Sequence, residues 1–133
     1  MERAGIKTRD IRFWSDKNDR MVCAHSKWAR DYAKYLEEQS WIEGYEVNVS
    51  LDPEQFNQVS PVDIRSEYFQ TGWTSDFSIR YADGRKGIRE LASREQLRKL
   101  ANIERLELSR RYWAAMGIDD WVIVLISEGG VET

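Results

Sequence analysis

Hydrophobic and polar positions alternate most regularly in the segment 73–92. Its first half has the two-residue period of a half-buried β-strand. The apolar positions of that half are Phe77, Ile79 and Tyr81. Asp83-Gly84 then interrupts the alternation, and a glycine at this point supplies the positive φ that a tight hairpin turn needs. Residues 86–92 follow as the return strand, so the segment predicts a β-hairpin.

Two other segments have the spacing of amphipathic helices. Ser26 is a favourable N-cap for the first of them, which is predicted to lay one side on a sheet. The apolar positions on that side are Trp28, Ala29, Tyr32, Tyr35 and Leu36. The second helix is predicted over 95–116, ends before Gly117, and is apolar on two sides. One of these sides, Ile103, Leu106 and Trp113, either packs within the domain or faces another molecule.

Strands complete the predicted order. Residues 44–51 alternate, residues 62–70 follow Pro61, and the apolar run 121–126 is typical of a strand covered on both faces. The order is then helix, four-strand meander, helix, strand. It predicts an α/β domain over 1–133, with a mixed sheet flanked by helices and a last strand parallel to its neighbour. Residues 1–22 are predicted to be an extended basic arm, and residues 127–133 a tail.

Composition places this domain among soluble proteins. The chain has 133 residues, 41% of them hydrophobic and 32% charged, with a net charge of −3. Without an apolar run of about 18–20 residues or a signal-peptide pattern, we expect a soluble cytoplasmic protein with no membrane partner. Cys23 and His25 are the single cysteine and histidine, too few for a usual Cys/His structural zinc site, and we assign them to local packing.

Two acidic residues suggest a metal site on the central hairpin. Asp76 and Glu90 fall on adjoining positions of its two strands. Cross-strand neighbours approach each other closely, and paired carboxylate oxygens are suitable ligands for a hard divalent cation, Mg²⁺ or Mn²⁺. Glu90 has a simpler alternative, a cross-strand ion pair with Arg80. The hairpin therefore predicts Asp76 and Glu90 as candidate metal ligands.

The chain resembles the N-terminal catalytic domain of TnsA-type transposon endonucleases, which have a restriction-endonuclease-like fold and the PD-(D/E)xK motif. The similar stretches, in matching order, are 15–22, 26–36, 73–84, 88–92 and 104–121. The resemblance implies metal-dependent cleavage of double-stranded DNA, with Asp76 and Glu90 as the catalytic metal ligands. It also implies a transposase or DNA-packaging protein as a partner.

Two positions of the motif depart from that family. Ala92 stands where the family has its catalytic lysine, and Ala29 stands where it has a glutamate on the first helix. Loss of a group that orients or deprotonates the nucleophile costs roughly 10²–10⁴-fold in rate. Weak or absent cleavage is therefore expected.

The two alanines leave several explanations open. They fit a nuclease inactivated by design, a natural descendant that lost its chemistry, or a site in which another residue has taken over. The candidates for such a replacement are Lys34, Glu37, Lys86 and Arg94. A different class of function also remains: a non-catalytic DNA-binding or assembly module, such as a phage head-completion-type protein. The arginines of the second helix, among them Arg105, are interpreted as a solvated face.

Overall fold

The computed structural model describes residues 10–127 and 129–131. It confirms an α/β architecture in which helices flank a mixed sheet. The strands are β1 (Ile11–Ser15), β2 (Arg20–Ala24), β3 (Ile42–Ser50), β4 (Thr74–Tyr81), β5 (Lys86–Ala92), β6 (Trp121–Ser127) and β7 (Gly130–Val131). The α-helices are α1 (Lys27–Glu37) and α2 (Leu100–Ala115). Within the described ranges, neither helix has the length and apolar character that crossing a bilayer requires.

The main sheet has the strand order β3-β4-β5-β6-β7. Strands β4 and β5 form the predicted antiparallel hairpin, and Gly84 adopts a φ of +92° in its turn. As predicted for a helical crossover, β6 lies parallel to β5. Its apolar run is less covered than expected, because β6 has only the two-residue β7 as its outer neighbour in the described chain. Val122 is consequently 44% exposed.

Two apolar clusters cover the two faces of this sheet. Ser26 caps α1 by accepting a hydrogen bond from the Ala29 backbone N–H (3.1 Å). The helix packs most of its predicted stripe on one face, but Trp28 is only half-buried and lies outside this cluster. Helix α2 packs against the other face and is itself covered by the connection between β3 and β4. Leu106 and Trp113 are therefore buried, whereas Ile103, the third residue of the predicted strip, is 42% exposed. Two of the three residues of the strip thus pack within the domain.

The connection between β3 and β4 differs from the prediction. Residues 62–70, expected as a strand of the meander, include a 3-10 helix at Ser66–Gln70, so the meander has three strands, β3 to β5. Asp63 has a φ of 64°, which interrupts an extended run. Arg65 also forms a two-pronged ion pair with Glu104 of α2, at 3.0 Å for each prong, which holds the segment on that helix.

The predicted N-terminal arm is wrong over its described part. Strands β1 and β2 form an antiparallel hairpin against α1, and residues 1–9 of the arm lie outside the described residues. Ser15 is fully buried and donates to Glu37 at 2.5 Å, while Tyr45 donates to the same carboxylate oxygen. Burial opposes ionisation of Glu37, but these hydrogen bonds outweigh it and lower its pKa. The predicted tail is wrong in the same way, since part of it, Gly130–Val131, pairs with β6.

Candidate functional site

The site forms where β4 and β5 separate. Their paired register runs from Arg80 and Lys86 to Phe77 and Arg89. Beyond that point, side-chain carboxylates bridge the two strands. Asp76 Oδ2 accepts a hydrogen bond from the Leu91 N–H at 2.7 Å, and the Asp76 N–H donates to Glu90 Oε1 at 3.1 Å. The two candidate ligands thus lie side by side, and each binds the backbone of the opposite strand.

Glu90 belongs to a buried polar network between the sheet and α2. Its side chain is 0% exposed, and its second oxygen accepts a hydrogen bond from the Ser109 hydroxyl at 2.5 Å. Trp121 donates to the Ser109 oxygen at 2.9 Å, and Trp113 donates to Ser75, whose hydroxyl lies 3.3 Å from that of Ser109. Both oxygens of the Glu90 carboxylate therefore contact donors of the protein interior.

The remaining motif positions converge on one cavity of about 460 Å³. Ala29 reaches it from α1, Asp76 from β4 and Ala92 from β5. Glu90 is not among the residues that line it. The structure thus brings together three of the four predicted site residues. The fourth contacts Asp76 but faces the protein interior.

Aromatic and polar side chains form the rest of the cavity wall. Trp28 and Trp73 line it, together with Arg105, whose guanidinium carbon lies 5.7 Å from the centre of a Trp73 ring. Such a separation is within the range of a cation–π interaction. The interpretation of Arg105 as part of a solvated face is therefore incomplete: the side chain is half-buried at the cavity. Arg105 lies one turn beyond Asn102, which also lines the cavity, but the position of either residue at the cavity follows from the structure and not from a pattern in the sequence.

The structure also decides the alternative roles predicted for Arg80 and for the candidate replacement residues. Arg80 pairs with Glu43 at 2.9 Å, so the alternative interpretation of Glu90, an ion pair with Arg80, is wrong. Among the described residues that line the cavity, none is one of the four proposed replacements, Lys34, Glu37, Lys86 and Arg94. Arg105 instead contributes a cationic side chain to its wall. Comparison with protein-family models gives no match for this chain, and comparison with curated proteins gives none either.

Proposed function

We propose that this protein is a DNA-processing nuclease domain similar to TnsA-type endonucleases, with impaired phosphodiester hydrolysis. One observation supports the proposal above others. Positions 29, 76 and 92 come from three separate elements and line one cavity. A PD-(D/E)xK site needs its glutamate, aspartate and lysine at one point, because all three act on the same scissile phosphate.

The donors present fit a divalent cation in part. Asp76 lines the cavity, and Mg²⁺ in proteins is often held by one or two carboxylates together with substrate phosphate oxygens. Asp76 would be the principal ligand, while Glu90 would first have to release Ser109 and the Asp76 N–H. When bound, Mg²⁺ or Mn²⁺ would lower the pKa of a coordinated water and neutralise charge on the phosphate. Neither Ala29 nor Ala92 can orient or deprotonate that water.

Double-stranded DNA is the proposed substrate. With a net charge of −3, the protein depends on local cations for phosphate contacts, and Arg105 supplies one at the cavity. The neighbouring rings of Trp28 and Trp73 offer flat surfaces beside it. A transposase or DNA-packaging protein would be the partner in such a process.

A plasmid-nicking assay with Mg²⁺ or Mn²⁺ tests the proposal. The double variant A29E/A92K restores the two missing groups and is expected to nick plasmid DNA at least about 10²-fold faster than the parent chain. Adding D76N to that variant should abolish the gain. The matched control is A114E/A82K, which makes the same two changes at exposed positions and should leave the parent rate unchanged.

A second candidate function is a non-catalytic DNA-binding module. It is favoured by the burial of Glu90, which commits one of the two acidic groups to the protein interior. Anisotropy of a labelled duplex separates the two functions. Duplex binding that falls in an R105Q variant, without nicking by A29E/A92K, supports the module. If the restored variant does not nick and the parent chain does not bind the duplex, both proposals are refuted.

A further inference from the structure

A second group of potential ligands lies at the open end of the β1-β2 hairpin. The last register pair of this hairpin is Ile11 and Ala24, so Asp10 and His25 face each other one position further along. Cys23 lies in β2 and His25 one residue beyond the end of that strand, so the strand's alternation, continued by one residue, places both on one side. One ligand atom from each of Asp10, Cys23 and His25 lies within 4.8 Å of the other two.

The chemistry of these donors selects a class of metal. A thiolate sulfur and an imidazole nitrogen are ligands for zinc and similar transition-metal ions, whereas Mg²⁺ prefers oxygen donors. Three protein ligands with one position left for water are typical of open zinc sites. The carboxylate of Asp10 supplies the third donor. A count of cysteines and histidines alone misses it.

The site is partly organised without a metal. His25 Nδ1 lies 2.9 Å from Asp10 Oδ1, so the imidazole and the carboxylate are held together. A metal ion has two ways to use this pair: it binds both groups, or it binds the other imidazole nitrogen while the carboxylate orients the ring. Cys23 and His25 are ligands in both arrangements. A metal ion can reach this site from solvent, since the side chains of His25 and Asp10 are 50% and 57% exposed.

We propose that Cys23 and His25 bind Zn²⁺ or a similar transition-metal ion at a site separate from the oxygen ligand Asp76, with Asp10 either as a third ligand or as the carboxylate that orients His25. His25 also lines the cavity that contains Asp76, so the ion would sit at the edge of that cavity. Binding converts the Cys23 thiol to a thiolate and releases its proton to solvent, with no transfer of electrons.

Cobalt serves as the spectroscopic probe of this site. The full chain, without a polyhistidine tag and under reducing conditions, is titrated with Co²⁺. The expected result is a near-ultraviolet charge-transfer band from thiolate to cobalt, which Zn²⁺ abolishes by displacing the probe. In C23S the band should be absent, and in H25Q the affinity should fall at least about tenfold. The matched control is D19N, which removes an exposed carboxylate from the same hairpin where the positive φ of 52° suits asparagine.

The wild-type titration alone is able to overturn the proposal. Absence of the thiolate band, together with no heat of Zn²⁺ binding by calorimetry, would show that no such site exists. Retention of the full Co²⁺ affinity in H25Q would also refute it, because the metal would then bind elsewhere. Circular dichroism of each variant establishes that it is folded, and D19N should bind with the parent affinity.

Discussion

Substitution of Glu90 tests whether this carboxylate stabilises the fold or is present mainly for a catalytic role. In E90A, two donors lose the carboxylate that accepts from them: the part-buried backbone N–H of Asp76 and the buried hydroxyl of Ser109. Each orphaned donor costs about 1–3 kcal/mol, and the truncated side chain also leaves a cavity. We expect the free energy of unfolding to fall by at least about 3 kcal/mol. In a domain of this size, that corresponds to a melting temperature lower by roughly 10 °C.

The isosteric variant E90Q refines the test. Its amide oxygen can still accept from the Asp76 N–H, but its NH₂ group meets the Ser109 hydroxyl, which already accepts from Trp121. We expect a loss of about 1–2 kcal/mol, smaller than in E90A. Ionisation is not needed for the remaining hydrogen bond, so E90Q isolates the contribution of the second carboxylate oxygen.

Urea unfolding monitored by tryptophan fluorescence measures both losses. The matched controls are E46A and E46Q, which make the same changes at an exposed position of β3 and should stay within about 0.5 kcal/mol of the parent chain. If E90A were equally neutral, or stabilising as is common when a residue held for function is removed, the structural role argued for this carboxylate would be refuted.

Two further predictions concern other regions of the fold. The ion pair with Arg65 lowers the pKa of Glu104 from 4.5 to about 2, so the stability that it contributes is present above pH 4.5 and is lost as the pH falls toward 2. In E104Q, the free energy of unfolding should therefore fall less steeply between these pH values than in the parent chain. In G87A the new Cβ would lie 2.6 Å from an oxygen of Asp120, and this overlap should lower the free energy of unfolding by about 1–3 kcal/mol. At Gly72 a new Cβ would have no atom within 4 Å, so the control variant G72A should melt like the parent chain.

Local signals in the sequence predicted the centre of the fold. The Asp83-Gly84 turn, the Ser26 cap and the parallel crossover to β6 were all predicted, because each follows from a few neighbouring residues or from chain connectivity. The β1-β2 hairpin was not predicted. Ser15 of this hairpin donates its hydroxyl to Glu37, which lies far along the chain in α1, and a contact of this kind leaves no periodicity in the sequence.

In the candidate site, too, some features could be predicted from the sequence, while others depend on contacts between distant residues. The resemblance to a nuclease motif predicts that positions 29, 76, 90 and 92 share one site. Positions 29, 76 and 92 line one cavity, and Glu90 does not. The direction of the Glu90 side chain could not be predicted, because it depends on Ser109 of α2 and on the indoles that bind the serine network. Strand alternation predicts the face of the sheet on which a residue lies, but it does not predict whether another element, here α2, covers that face at the residue.

The two alanines have an explanation that needs no nuclease ancestry, and stability measurements test it separately from activity. Ala29 and Ala92 are 8% and 2% exposed, as expected of small residues that pack a helix against a sheet. If they are only packing residues, longer side chains there would overpack the core and lower stability by about 1–3 kcal/mol or more. If the cavity of about 460 Å³ is the space of an active site, glutamate and lysine can extend into it. The aliphatic stem of the lysine would lie along the wall while its ammonium group reaches water. The A29E/A92K chain should then unfold within about 1 kcal/mol of the parent, and a large loss would show that the two positions belong to the core.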